Sequence, residues 1–252
     1  MKSMSNLDFS GQDWRDRSFR NHNLRYADFT GADVRGCDFR GADLTGVRFT
    51  NARLGRTPRQ IILTVIPTLL LVWLSITAFS QMIFGGLGTT RDHSAWGYTM
   101  ALNVSLALAG GMTGVQRWRS LPPFCRQLCP ILAHMATGAL LGFFYGGTWS
   151  GNQAPVAIAA AIILGLLGIA VGWGWGPRWL GAGLTVSGAI AAYGFCFSAG
   201  THASALTHTQ QYGSGLLWWG ISLAYLVGTV RSLSLAVERL GRSMGTCFSL
   251  GD

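Results

Sequence analysis

The residues able to do chemistry are few and scattered. His134 stands alone in a long apolar stretch. An imidazole there has two readings: a hydrogen-bonded structural residue, or a ligand to a haem or chlorophyll-like pigment. His93, His202 and His208 fall between apolar stretches, on one side of a membrane, where three imidazoles are candidate ligands for a metal. Their spacing matches no metal motif and no carboxylate cluster accompanies them, so no metal site is assigned. The five cysteines are scattered, and their odd number argues against a disulfide framework. There is no phosphate-binding loop, nucleophile elbow, HExxH motif or pair of carboxylates in a plausible site. The apolar stretches contain no Asp, Glu, Lys or Arg, the groups that ion-coupled transporters and proton pumps use. The expectation is a chain that is not an enzyme, with no catalytic residue and no obligatory cofactor.

Most of the acids fall into a pattern near the N-terminus. Every fifth residue from Phe9 to Leu54 is large and apolar: Phe9, Trp14, Phe19, Leu24, Phe29, Val34, Phe39, Leu44, Phe49 and Leu54. The residue before each is usually Asp or Asn, and residues 27–46 read ADFTG, ADVRG, CDFRG, ADLTG. A period of five fits neither a helix nor a strand, so it marks a repeat architecture. Residues 1–56 hold ten Lys or Arg and seven Asp, a net charge of +3. All the acids except Asp16 keep the repeat register, which suits support of turns better than catalysis. Arg15, Arg20, Arg25, Arg35 and Arg40 share one outward repeat position. They form either a salt-bridged surface or a patch that docks an acidic partner or anionic headgroups. No aromatic residue interleaves with them on the outer face, which argues against nucleic acid as a partner.

The pattern resembles the pentapeptide-repeat family over about residues 6–55. The resemblance implies a right-handed, four-sided β-helix with one repeat per side. Residues twenty apart would then stack, with the ten large apolar residues as inward columns and Ala27, Ala32, Cys37, Ala42 and Ala52 in small inward slots. Ten repeats at strand spacing make a stub only ~12 Å tall. Gln12, Arg17 and His22 replace small residues, so the first coil is expected to be distorted or wet. The last coil exposes unpaired backbone groups, and residues 117–126 or the C-terminal tail are expected to cover it. Some members of the family mimic DNA and bind type II topoisomerases. Those are long and acidic, and this short basic segment departs from them.

From residue 61 the chain is almost purely apolar. Runs of about 20 residues cross a bilayer. Six spans are expected, at 61–84, 95–116, 128–149, 155–175, 179–199 and 215–230. Arg56, Arg59, Arg117, Arg119, Arg126, Arg178, Arg231, Arg239 and Arg242 flank one side, against Arg91 with Asp92 on the other. The positive-inside rule places both termini in the cytoplasm. Glycines four apart (Gly110 and Gly114; Gly138, Gly142 and Gly146; Gly168, Gly172 and Gly176) predict close helix packing. Asn103 and Gln81 are expected to bond between helices. The organisation is thus a repeat module over 1–56, an all-α six-span bundle over 57–230 and an amphipathic tail over 231–252. Such a fusion resembles proteins common in cyanobacteria. The expectation is an accessory subunit of a plasma or thylakoid membrane complex, docking protein partners through the repeats and surrounded by lipid. An uncoupled small-molecule facilitator and a pigment-binding subunit using His134 are the alternatives.

Overall fold

The computed structural model describes residues 7–89, 92–116 and 121–245, excepting the side chains of Arg178 and of residues 238–245. It divides into two compact units, Met1–Ile66 with Leu240–Asp252, and Pro67–Arg239.

In the first unit the backbone winds into stacked coils. Parallel bridges join residues twenty apart: Asp8 to Asp28, Asp13 to Asp33, Ser18 to Asp38, Asn23 to Asp43, Asp28 to Arg48 and Asp33 to Arg53. One bridge every five residues makes four per coil. These are single-residue bridges rather than extended strands, because a turn follows each one. The carbonyl of each central apolar residue accepts from the amide three residues on, as in Ala32 N to Phe29 O at 3.0 Å. The third residue of each turn sits at positive φ, from 56° at Asn51 to 79° at Gly36. That conformation is costly for most residues and free for glycine, which accounts for Gly11, Gly31, Gly36, Gly41 and Gly46.

The ladder is regular from its start. Phe9 N reaches Asp28 O at 2.8 Å, Trp14 N reaches Asp33 O at 2.9 Å, and Phe19 N reaches Asp38 O at 2.8 Å. The expected distortion of the first coil is absent. Gln12, Arg17 and His22 are instead exposed, so their slots open to water without disturbing the backbone.

The interior is made of columns. Phe9 stacks on Phe29 with centroids 4.7 Å apart, Phe29 on Phe49 at 5.4 Å, and Phe19 on Phe39 at 5.4 Å. Leu24, Ala27, Phe29, Ala32, Val34 and Cys37 are almost wholly enclosed. The Cys37 thiol donates to Trp14 O at 3.0 Å, satisfying a carbonyl of the coil above. Trp14, Leu44 and Phe49 are half-buried. Leu54 departs from the expected core: it is 47% exposed, since it ends the series and no later rung continues its column.

The second unit is helical. The chain forms α1 (Pro58–Gly86), α2 (Trp96–Val115), α3 (Pro123–Trp149), α4 (Ala154–Gly172), α5 (Arg178–His208) and α6 (Tyr212–Gly245). Five of these, all but α2, are long and apolar enough to cross a membrane. The expected count of six therefore falls to five on that criterion. Thr99, Asn103, Ser105 and Thr113 add polar groups to α2, which is only 20 residues long. The helices also outrun the expected spans. α5 carries His202 and His208, which were expected in a loop, and α6 continues unbroken through most of the expected tail.

Large side chains point outward. Leu69, Trp73, Ile162, Ile163, Leu166, Leu217 and Leu223 are exposed. Apart from Phe79, Leu106 and a few others, the buried positions are Ala, Gly, Ser and Thr. This inversion is what lipid requires, where large apolar groups face the solvent and small ones let helices approach. Burial is deepest in the best spanning stretches of α5 (67%) and α3 (50%), against 17% in α1, α4 and α6. The glycine stripes explain the approach. A Cβ at Gly138 or Gly142 would strike the carbonyls of Leu164 and Ala160 in α4, and one at Gly168 the carbonyl of His134. Gly110 of α2 lies against Ala192 of α5 in the same way.

Candidate functional site

Two polar regions remain once the cores are assigned: the outer surface of the coils and the hydroxyl-lined interior of the bundle.

On the coils, the acids do structural work. Asp8, Asp13, Asp28, Asp33, Asp38 and Asp43 each accept the amide of the residue two ahead, at 2.8–3.3 Å. Such Asx turns fix the entry to each corner. The same carboxylates hold arginines. Arg15 Nε lies 2.8 Å from Asp13, Arg35 Nε 2.8 Å from Asp33, and Arg40 Nε 2.8 Å from Asp38, all three in bidentate geometry. Arg25 pairs with Asp43 at 3.2 Å across coils. The Arg15 guanidinium beside Asp13, and the Arg40 guanidinium beside Asp38, pull both carboxyls from 3.8 to about 2. Asp33 is lowered by Arg35 in the same way. Asp28 and Asp43 are lowered by the hydroxyls of Thr30 and Thr45.

Arg20 differs. The residue two before it is Ser18, which brings no carboxylate, and Arg20 makes no ion pair among the described residues. Asp38, whose carboxyl feels its charge, lies beyond pairing distance.

Asp16, the one acid outside the register, has its own task. It occupies a positive-φ corner, and its Oδ1 accepts from the Thr57 hydroxyl at 3.0 Å and the Gln60 amide at 2.7 Å. Gln60 also donates to Gly36 O at 3.3 Å. Thr57 is buried, and its carbonyl accepts from Ile61 N at 3.1 Å, which makes it the N-cap residue of α1 with Pro58 following at the first helical position. Gly36 lies under this contact, and a Cβ there would collide with Asp16 and Gln60. This latch ties the start of α1 to the coils. Its partners stand 41 and 44 residues apart, so no spacing rule reveals it.

Residues 3–41 and 23–57 match the family described as Pentapeptide repeats, in eight copies. Residues 3–57 are pentapeptide repeats. Comparison with curated proteins and with solved structures gives no match. The pentapeptide module thus precedes a helical region of membrane-spanning character, and repeats of this kind suggest an interaction module.

In the bundle, hydroxyls bond back to their own helices or across to neighbours. Ser75 of α1 meets Ser187 of α5 at 2.6 Å, and Tyr145 of α3 donates to Leu74 O of α1 at 2.9 Å. Asn103 bonds between helices as expected, whereas Gln81 is exposed. His134 is enclosed, with Nε2 3.4 Å from the Thr185 hydroxyl of α5 and its carbonyl under Gly168 of α4. The Thr185 hydroxyl thus stands beside Nε2. His93, His202 and His208 do not form a metal-binding group, and no group of three or more His, Cys, Asp or Glu able to hold a metal occurs among the described residues. Arg91, Arg117, Arg119, Trp118 and Cys247 lie outside the described residues, as do the side chains of Arg178, Arg239, Leu240 and Arg242. So does most of the polar part of the 117–126 segment expected to cover the last coil.

Proposed function

We propose that the chain is a non-catalytic integral membrane protein whose pentapeptide module docks a protein partner on the cytoplasmic face. In this reading it is an accessory subunit of a larger membrane complex, of cyanobacterial type, in the plasma or thylakoid membrane. The observation that carries the reading is the division of labour on the coil surface. The acids are committed to turns and to Arg15, Arg25, Arg35 and Arg40, so the module has no free carboxylate pair for catalysis. Arg20 remains available, and it is the residue we assign as the anchor for an acidic segment of the partner. The excess of arginine beside one set of helix ends supports cytoplasmic termini. The facilitator reading has less support, because buried hydroxyls of α5 are bonded to neighbouring helices rather than lining a path. No cofactor is proposed; the Thr185 hydroxyl beside His134 Nε2 favours the structural reading of that imidazole.

The test is purification of the full chain from its native membrane, with quantitative mass spectrometry of what accompanies it. Arg20→Glu is expected to lose specific protein partners while the chain stays inserted. Loss under Arg15→Glu but not Arg20→Glu would move the anchor. An unchanged partner set with both variants would remove the docking role from this surface.

A further inference from the structure

A cavity of about 300 Å³ lies in the bundle where α1 ends, α2 begins and the last third of α5 passes. Its wall includes Asn103, Ser198, Thr201 and His202, with Thr89 and Thr99 across from them. The hydrogen bonds of this wall are directional. Ser198 Oγ donates to Asn103 Oδ1 at 2.8 Å, and Asn103 Nδ2 donates to Thr99 O at 2.9 Å. Thr201 Oγ1 donates to Ser198 O at 2.8 Å, Thr99 Oγ1 to Ala95 O at 3.2 Å, and Thr89 Oγ1 to Gly86 O at 2.9 Å. Thr89 Oγ1 also reaches Thr99 Oγ1 at 3.1 Å, so its proton is shared between Gly86 O and the Thr99 oxygen. The other hydroxyl protons are committed to carbonyl or amide oxygens, and the oxygens keep lone pairs.

His202 adds another acceptor. Its Nδ1 lies 2.9 Å from Ser198 O. A carbonyl only accepts, so the neutral ring carries its proton on Nδ1 and a lone pair on Nε2. Nε2 makes no hydrogen bond among the described residues. Trp218 of α6 stacks on the ring with centroids 5.6 Å apart, which fixes its plane from the other side. The ring is therefore held before any ligand arrives.

The cavity wall thus offers several acceptors and few donors, with no Lys or Arg in its lining. The C-terminal end of α1 at Gly86 and the first turn of α2 at Trp96 both border the cavity, so their helix poles oppose one another. Ile83, Met100 and Leu102 supply an apolar side. From this geometry we infer that the cavity binds a small protonated amine. Its three N–H donors match the lone pairs, and its alkyl body lies on the apolar side. His202 and Met100 are exposed, so the cation is not fully stripped of water on entry. The inference stands apart from the docking role.

The test is calorimetric titration of the detergent-purified full chain with n-butylammonium, n-butanol and butyrate. Saturable binding is expected for n-butylammonium, with n-butanol weaker by roughly tenfold or more, because a hydrogen bond to a charged group is the stronger kind. Butyrate is expected not to bind. His202→Phe keeps a ring against Trp218 and removes the lone pair. It is expected to weaken n-butylammonium by roughly tenfold with an unchanged melting temperature. Thr201→Val, which removes one hydroxyl oxygen at nearly constant size, is expected to act in the same direction. Equal binding of n-butanol, absence of saturable n-butylammonium binding to the folded chain, or full affinity in folded His202→Phe would each overturn the assignment.

Discussion

The two regions place the same residue types in opposite positions. In the pentapeptide module phenylalanines stack inward and the charged residues ring the outside. In the bundle the large apolar residues lie outside, and glycine, alanine and serine make the contacts between helices. The backbone explains the difference. The module bonds each coil to the next, twenty residues on, and its interior is filled by columns of large residues with small ones such as Ala27 and Ala32 between them. A helix satisfies its backbone within itself, so nothing but side-chain size limits how near two helices come. Glycine accordingly has two separate uses here. In the coils it supplies positive φ, and between helices it supplies absence of volume.

Substitutions that respect or violate these uses sharpen the comparison. The largest effect is expected from Phe29→Ala, which empties a wholly enclosed column and costs about 3–5 kcal/mol. Limited proteolysis is expected to cut the module rapidly in that variant. Leu166→Ala, the same kind of truncation on an exposed face of α4, is expected to change the melting temperature of the detergent-solubilised chain little, by less than about 1 kcal/mol. Comparable losses at both positions would mean that α4 is covered by protein.

Next in size is Gly142→Leu, which drives a side chain into Ala160 and Ala161 of α4. Overpacking of this kind costs about 1–3 kcal/mol and is expected as a lower melting temperature. Gly31→Ala meets no neighbour but keeps φ at 70°, and is expected to cost only about 1–2 kcal/mol, seen as faster hydrogen exchange in its coil. Gly36→Ala carries both penalties, conformational and steric, and is expected to exceed Gly31→Ala in the same measurement. Equal effects at Gly31 and Gly36 would show that the Asp16 latch contributes nothing.

The smallest effect is with pH. Asp13 and Asp38 titrate at about 2 in the fold, below their ordinary 3.8. Folding therefore favours their ionised forms. The stabilisation is complete above 3.8 and is lost as pH falls toward about 2. Both pairs are partly exposed, so water and salt reduce the gain. Hydrogen exchange of the coil amides is expected to accelerate over that window. Asp38→Asn is expected to flatten the response, and no acceleration would show that the arginine pairs leave stability untouched.

Much of this architecture was readable in the chain, for a physical reason. A five-residue period constrains every residue of a coil, so Phe29, Val34 and Phe39 announce both the tube and their own burial. Long apolar runs likewise announce helices. Their ends were misplaced because hydropathy stops where polarity starts, whereas Thr201, Thr207 and Thr209 extend α5 by returning their hydroxyls to its carbonyls. His202 was assigned to a loop on that account. Leu54 kept the period but lost its neighbour, since a pattern does not show where stacking ends. The anchoring of Asp16 to Thr57 and Gln60 was invisible because it belongs to no period at all.

That anchoring also gauges length. The Asp16 carboxylate reaches Gln60 only because the Gly36 corner, with no side chain, is all that intervenes. A tandem copy of one full coil inserted after Gly36 would keep every column in phase yet carry Asp16 away by one more layer, ~4.8 Å. The latch therefore ties the number of layers to the point where α1 begins, and a longer tube would need a new way to hold the helix start.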